Sequence, residues 1–486
     1  MTACQTPQLQ PITPSYRLRL LSDEQLDDFQ SASLEILEEV GIHCPSDKAL
    51  KIYAENGARV DFETQIVKFP QQIVLNALAH APRHYTMGAR AADFDLYLDG
   101  KHFYCTTDGC GTEVIDFVTR ERRTSRKEDV AQMARVADYL PSIGFYWPMV
   151  SAQDFPAIAP LHELEASFNN TIKHIQTETV MDERMAYYAV EMAKIIAGSE
   201  ATLRARPPLS SLVCAIAPLA QDKGGMEAAL VFAGAGLPVG FMSMANAGST
   251  GPATISGTLV VADAEIVAAM VLIQMAYPGA PTYHSMMPGI MHPRTGAYLA
   301  TPWEGELPYA IGVELAHRWG VPTLSGIFGT DGNMPGWQSA AEAAANLLLC
   351  ALVGADTGAG LGLLESCTVL YPEAVILDSD IYHQIRVEAR GIDTSRQAMA
   401  LDVIKAVGPR GHFLRHKHTR EHLRKLELSD LCDQPDPRGG YRDPVEVARE
   451  RVNWILDNHF PEPLSQEKQT QLRHVIKTAE REFETA

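Results

Sequence analysis

Two hydrophobic rhythms alternate along this chain. Short, nearly unbroken apolar runs stand at 103–107, 143–150, 172–177, 210–217, 239–244, 282–286, 323–328 and 357–364. Apolar runs of this length without a polar alternation predict strands buried on both faces. After each run the apolar positions recur every three to four residues, over about 125–140, 157–169, 182–198, 222–235, 253–277, 304–319, 337–353 and 373–390. That period predicts helices with one face on a core. Eight strands, each followed by a helix, is the arithmetic of an α/β fold of the (β/α)8 TIM-type barrel class. The same spacing also allows an open doubly wound sheet.

The flanks read differently. Residues 1–20 mix Pro with polar residues and predict a loose arm. Ser22 stands where it would cap a helix that Gly41 ends, and a second helix is expected over about 70–81. Short alternating segments suggest strands between and beyond them, with D-F-D-L-Y-L-D-G (93–100) expected as a hairpin. The organisation expected is an N-terminal cap over 1–100, the barrel over 101–395 and a C-terminal helical extension over 396–486. In the extension, His412, His416, His418 and His422 stand among Arg415, Lys417 and Arg420, which reads as a partly exposed loop rather than a metal site. A Pro/Gly/Asp linker at 433–443 precedes two charged helices near 443–458 and 464–484, expected to pack on the barrel or on another subunit.

Composition narrows the partners. With 41 basic and 60 acidic residues the net charge is −19, which disfavours nucleic acid and anionic membrane surfaces and is compatible with a cationic substrate. The most apolar window, 253–277, contains Asp263, Glu265 and Gln274, so a barrel helix is expected there rather than a membrane span. No secretory leader pattern opens the chain. The eight Cys are scattered in mostly apolar contexts and read as reduced thiols of a cytoplasmic protein. Cys105 and Cys110 lack a second metal-ligand pair at zinc spacing, so no metal is expected.

In a barrel, chemistry gathers where strands end and βα loops begin. Those positions carry Asp108, Asp154, Glu178, Asp331 and Glu365, a prospective ring of five carboxylates, and no Lys. Tyr104, Trp147, Phe155, Tyr283, Trp303, Phe328 and Trp337 stand nearby. His284 ends the sixth strand and is the His expected in the cavity. Gly248 and Ser249, in the loop Asn246–Gly251, can bring backbone N–H groups close to a ligand, with Pro252 expected as the first residue of the next helix. Acids and aromatic faces without cations of their own suit a quaternary ammonium ligand, at roughly 0.5–2 kcal/mol per aromatic face. Acids at helix starts also serve as caps, and Trp147 and Phe328 are expected in the core. Gly358, Gly360 and Gly362 alternate in the eighth strand and mark a close approach that leaves room for a bulky ligand. There is no nucleophile elbow, phosphate loop or dinucleotide fingerprint.

M-S-M-A-N-A-G-S-T-G-P-A-T-I-S-G-T-L-V-V-A-D-A-E (242–265) and P-G-A-P (278–281) resemble the trimethylamine methyltransferase family. Further matches in order are S-L-E-I-L-E-E-V-G-I (33–42), G-C-G-T-E-V-I-D (109–116), Thr330-Asp331, Gln338 with Glu342, V-G-A-D (353–356), I-L-D (376–378) and V-G-P-R-G-H-F-L (407–414). The resemblance spans nearly the whole chain and implies the same barrel. It also implies methyl transfer from nitrogen to the Co(I) of a separate corrinoid protein, with cobalamin carried by that partner and no cofactor bound directly. No pyrrolysine is written in the sequence, which implies the non-pyrrolysine branch and a quaternary amine such as glycine betaine, proline betaine, carnitine or choline. Asp108, His284, Asp331 and Glu365 are then the expected catalytic group. Tyr104, Asp154, Phe155, Glu178, Tyr283, Arg294, Trp303, Trp337, Gly248 and Ser249 are the expected substrate-binding group, Arg294 and the loop amides as holders of a betaine carboxylate. The family often carries a Lys two residues after the Thr-Asp pair and an Asp before the Gln; here Asn333 and Gly336-Trp337 stand there, which puts the substrate in question. Two other classes remain open: a barrel lyase or metal-dependent hydrolase using the carboxylate ring, and a non-catalytic quaternary-amine binding protein. A homo-oligomer is expected in any case.

Overall fold

Eight parallel strands close into a barrel in the computed structural model, which describes residues 5–109, 111–302 and 304–484. They are β1 (Tyr104–Thr107), β2 (Ile143–Tyr146), β3 (His174–Thr177), β4 (Leu209–Ile216), β5 (Val239–Ser243), β6 (Thr282–Met286), β7 (Thr323–Gly326) and β8 (Thr357–Leu361). Each pairs with the next in chain order, and β8 returns to β1 with Thr357 opposite Tyr104. That closure excludes the open sheet. The wall helices are α1 (Lys127–Tyr139), α2 (Ala159–Asn170), α3 (Glu183–Ala197), α4 (Lys223–Gly234), α5 (Ile255–Ala276), α6 (Glu306–Trp319), α7 (Trp337–Val353) and α8 (Ala374–Ala389).

Strand alternation assigns each residue a side. Tyr104, Phe145, Leu212, Met242, Tyr283, Leu324 and Ala359 turn inward and fill the lumen with Trp147. The residues between them turn outward onto the helices. α5 is long and apolar enough by composition to cross a membrane, yet 78% of its most apolar window is buried. Its buried Asp263, Glu265 and Gln274 are all hydrogen-bonded. Asp263 accepts from Trp319 and pairs with His284, Glu265 accepts from Ser243 Oγ and the Leu219 N–H, and Gln274 bridges Ala280 and Gly279.

The N-terminal helix Asp23–Glu39 begins with a capping box between Ser22 and Gln25 and is followed by Gly41 at φ 85°. The expected helix over 70–81 is Gln71–Leu78, and a further helix, Asp47–Glu55, arises where alternation suggested strands. The 93–100 segment is not a hairpin by itself. Ala92–Phe94 forms a 3₁₀ turn, and Leu96–Leu98 pairs with Tyr85–Met87. Met87, Leu96 and Leu98 then plug the lower end of the lumen. The arm before Ser22 is strapped down rather than loose. Its N–H groups at Ser15 and Leu18 donate to the Ala389 and Leu352 carbonyls, which α8 and α7 leave unpaired at their C-termini, and Leu20 and Leu21 donate to Glu314. The helices Pro444–Asn458 and Gln466–Glu484 lie on the outside of the barrel, the first against α8 and α1, the second against α3 and α2.

Candidate active site

At the upper end of the lumen, acids follow β1 and β3, near enough for their charges to interact. Asp108 follows β1, in the inward register of Tyr104 and Thr106, and is 5% exposed. Its Oδ1 accepts the Gly109 N–H at 2.9 Å, and Oδ2 makes no hydrogen bond among the described residues. Burial pushes its carboxyl up to about 6; the Cys367 thiol and Gly109 N–H favour the ionised form, and the Glu178 charge opposes it. Glu178 follows β3 in the inward register of Gln176. Cys214, on β4, donates its thiol proton to Glu178 Oε1 at 2.8 Å. Burial and the Glu178 charge hold the Cys214 thiol well above its ordinary range, so it stays a donor.

Aromatic rings close around this pair. Trp147, beyond β2, packs so tightly on Gly109 that a Cβ there would come within 2.1 Å of the indole. Tyr298 ends a hairpin after β6 formed by Gly289–Met291 and Tyr298–Leu299; its ring lies on Gly289, and the charges of Asp331 and Asp108 reach its hydroxyl. One layer deeper, the Tyr283 hydroxyl donates to Gln176 Oε1 (2.9 Å) and the Ser211 carbonyl (3.0 Å). Gln176 Nε2 is buried without a partner among the described residues. The turn after β8 completes the site. Glu365, Ser366 and Cys367 are consecutive non-glycine residues in the left-handed region, at φ 53°, 52° and 69°. This arrangement costs roughly 1–2 kcal/mol per residue. It is held by the Glu365 and Ser366 N–H groups on the Gly332 and Thr330 carbonyls and places Cys367 beside Asp108.

Several expected residues lie elsewhere, and the five-carboxylate ring does not form. Asp154 is exposed and accepts the Lys127 N–H at the start of α1. Glu365 is turned to Arg122, at 3.0 and 3.1 Å. Asp331 stands at the mouth, but its oxygens accept from the Ala300 and Thr301 N–H groups and from Ser366 Oγ, so it pins two loops together. His284 is not in the cavity. One residue on from inward-facing Tyr283, it points into the helix layer, with Nε2 3.0 Å from Asp263. Tyr104 faces inward but lies four residues below Asp108, about 13 Å along the strand, beside the basal hairpin. Phe155 stacks on His162 outside the barrel at 3.9 Å, and Phe328 is buried outside the lumen. Arg294 is exposed in the turn of the hairpin after β6. Trp337, the first residue of α7, is 87% exposed on the rim. Trp303 and Cys110 lie outside the described residues.

The loop amides are also spent. Ser249, Thr250 and Gly251 donate their N–H groups to the Asn246 carbonyl and Gly248 donates to Gly251, so Gly248 (φ 90°) serves a turn that closes on itself. α5 begins at Ile255, three residues after Pro252. The β8 glycines accommodate the protein rather than a ligand: a Cβ at Gly360 would come within 2.8 Å of the Phe328 backbone nitrogen, and one at Gly362 would meet Met149 and Val375. Among the described residues no group of three or more His, Cys, Asp or Glu is arranged to hold a metal.

The chain has clear relatives among known proteins. The sequence pattern of the trimethylamine methyltransferase family matches residues 2–484. The chain belongs to the trimethylamine methyltransferase family. A trimethylamine methyltransferase, MttB, of Desulfitobacterium hafniense is 33% identical, over 96% of this chain and 95% of that protein. A glycine betaine methyltransferase of the same species is 29% identical, over 96% and 97%. The crystal structure of the Methanosarcina barkeri monomethylamine methyltransferase shares the fold, with a TM-score of 0.54 at 11% identity, over 98% of this chain and 90% of that one. Family membership makes this chain one of a group of methyltransferases.

Proposed function

We propose that the protein demethylates a quaternary amine, such as glycine betaine, proline betaine, carnitine or choline, passing one methyl group to a corrinoid carried by a partner protein. The observation that carries the reading is the presence of Asp108 and Glu178 together at the upper lumen, with Trp147 packed on Gly109 and Tyr298 within reach of the Asp108 charge. Carboxylates attract a methylated cation without needing a proton from it, and ring faces attract it at short range. The likeness to a glycine betaine methyltransferase supports a substrate of this class.

A reduced corrinoid would supply the nucleophile that takes the methyl group. The work of this chain is then positioning. The leaving group is a neutral tertiary amine, so no acid is needed, in keeping with thiol-bound and part-neutralised carboxylates. Positive charge leaves the nitrogen as the methyl departs, so acids that held the cation too strongly would favour the ground state. Cys214 on Glu178 and the burial of Asp108 moderate that attraction.

The rim suits a protein lid. Val118 and Met334, on the loops after β1 and β7, and Trp337, at the start of α7, are 87%, 62% and 87% exposed around the mouth. Trp337→Ala is expected to raise the KM for the corrinoid protein about tenfold while leaving amine affinity within about twofold, as for loss of an interfacial aromatic anchor. Steady-state assays varying each reactant separately check this. An effect on amine affinity alone would return Trp337 to the substrate-binding group.

Calorimetry with the amines tests the site itself. Affinity is expected to rise with pH through about 6, because Asp108 is neutral below that value and anionic above it. Asp108→Asn should remove the step. A flat profile from pH 5 to 8 in the unaltered protein would count against Asp108 as a contact of the cation.

A further inference from the structure

The chain after α8 leaves the lower end of the barrel, away from the mouth, and carries apolar side chains into solvent. Ile392, Leu414 and Leu428 are 87%, 76% and 82% exposed, and Ile404, Leu423 and Leu426 are 51–60% exposed. The short helices here, Leu401–Val407 and Lys417–Leu423, bury no residue. Helices of this length are not stable on their own in water, and contiguous exposed apolar side chains mark a contact surface.

Charge indicates what covers it. Residues 401–426 hold seven Lys and Arg against two Asp and Glu, a net of +5 in a chain of net −19, which leaves −24 on the rest. The helix Asp23–Glu39 has the opposite character: seven acids and no base in 17 residues. Arg19, Arg318 and Arg59 pair with Asp23, Asp27 and Glu38, while Glu24, Asp28, Glu35 and Glu39 make no ion pair among the described residues. This helix packs on α5 and α6, whereas the basic segment is tied by Glu427 to Arg386 and Arg390 of α8 and its extension. No ion pair joins the two among the described residues of one chain.

We propose that a second copy of this chain covers the segment, the basic apolar stretch 391–428 of each protomer docking on the acidic helix Asp23–Glu39 of its partner. The exchange is reciprocal, as a two-fold axis requires, and leaves both barrel mouths open. The inference is independent of the substrate. Light scattering during gel filtration of the full chain at about 10 µM tests it. Twice 53.2 kDa is expected at low salt, with the dissociation constant weakening at least tenfold in about 0.5 M NaCl. Arg415→Glu/Lys417→Glu/Arg420→Glu and Glu24→Lys/Asp28→Lys should each give a monomer. In an equimolar mixture of the two, the contact between the unaltered basic segment of one variant and the unaltered acidic helix of the other is kept and the charge repulsion at the second contact is reduced, so the mixture should regain dimer, which also shows that both variants fold. A monomeric unaltered protein, a dimer indifferent to both substitutions, or a mixture that stays monomeric would overturn the proposal.

Discussion

Asp108→Asn or Glu178→Gln is expected to weaken binding of a quaternary amine about a hundredfold at pH 7.5. One unit charge at roughly 6 Å from the cation, at an effective dielectric of about 20, is worth ~3 kcal/mol. Both substitutions keep the shape of the side chain and remove only the charge. The contrast is with acids already engaged elsewhere. Glu365→Gln loses a partner of Arg122, and Asp154→Asn weakens a cap on α1, so each should change amine affinity by less than about threefold. Calorimetric titration with choline and glycine betaine separates the two groups. Equal effects from all four substitutions would restore the five-acid ring and remove the special place of the β1–β3 pair.

Lys173→Met should be the most destabilising single change in the barrel wall. Lys173 is 1% exposed, at the entry to β3, and its Nζ donates to the carbonyls of Ala137, Leu140 and Ile143, each at 2.7 Å. Its Nζ meets three carbonyls that end α1 and open β2, two of which, Ala137 and Leu140, also accept a backbone N–H, from Leu140 and Ile143. Methionine fills the volume but removes three hydrogen bonds from a charged donor that tie α1 and β2 to the entry of β3, at a cost of about 4 kcal/mol. In a chain of this length that corresponds to a melting point lower by about 4 °C. The nearby Asp138 then loses its long-range cationic neighbour, although it still accepts from Thr6, Thr171, the Ile172 N–H and His459. Scanning calorimetry reads the shift; an unchanged melting point would mean that water or a backbone adjustment replaces the ammonium.

The barrel was legible because its signal is repeated. Eight apolar runs and eight periodic segments each carry the same message, and errors of a residue or two at the ends do not alter the count. The candidate site was legible only in part. Strand ends pointed to Asp108 and Glu178, but a strand end does not say which side a side chain takes. One residue separates lumen-facing Tyr283 from helix-facing His284, and a one-residue shift of register exchanges the two faces. The same end-of-strand argument brought in Asp154 and Glu365, whose partners Lys127 and Arg122 are remote in sequence. The local sequence marks Cys214 and Cys367 only as reduced thiols, because nothing local marks a Cys as a donor to a carboxylate. Tyr298 reaches the mouth on a hairpin inserted after β6, outside the strand–helix rhythm, so that rhythm does not point to it. The three consecutive left-handed residues 365–367 contain no Gly to announce them; the hydrogen bonds that hold them come from the loop after β7.

The most direct test of the central claim is methyl transfer itself. The protein is incubated anaerobically with excess cob(I)alamin and one methylated amine at a time, and the cobalt absorption and released amine are followed together. Conversion of Co(I) to methylcobalt with one equivalent of tertiary amine is expected from a quaternary amine, and its loss in Asp108→Asn. Transfer from trimethylamine but from no quaternary amine would contradict it.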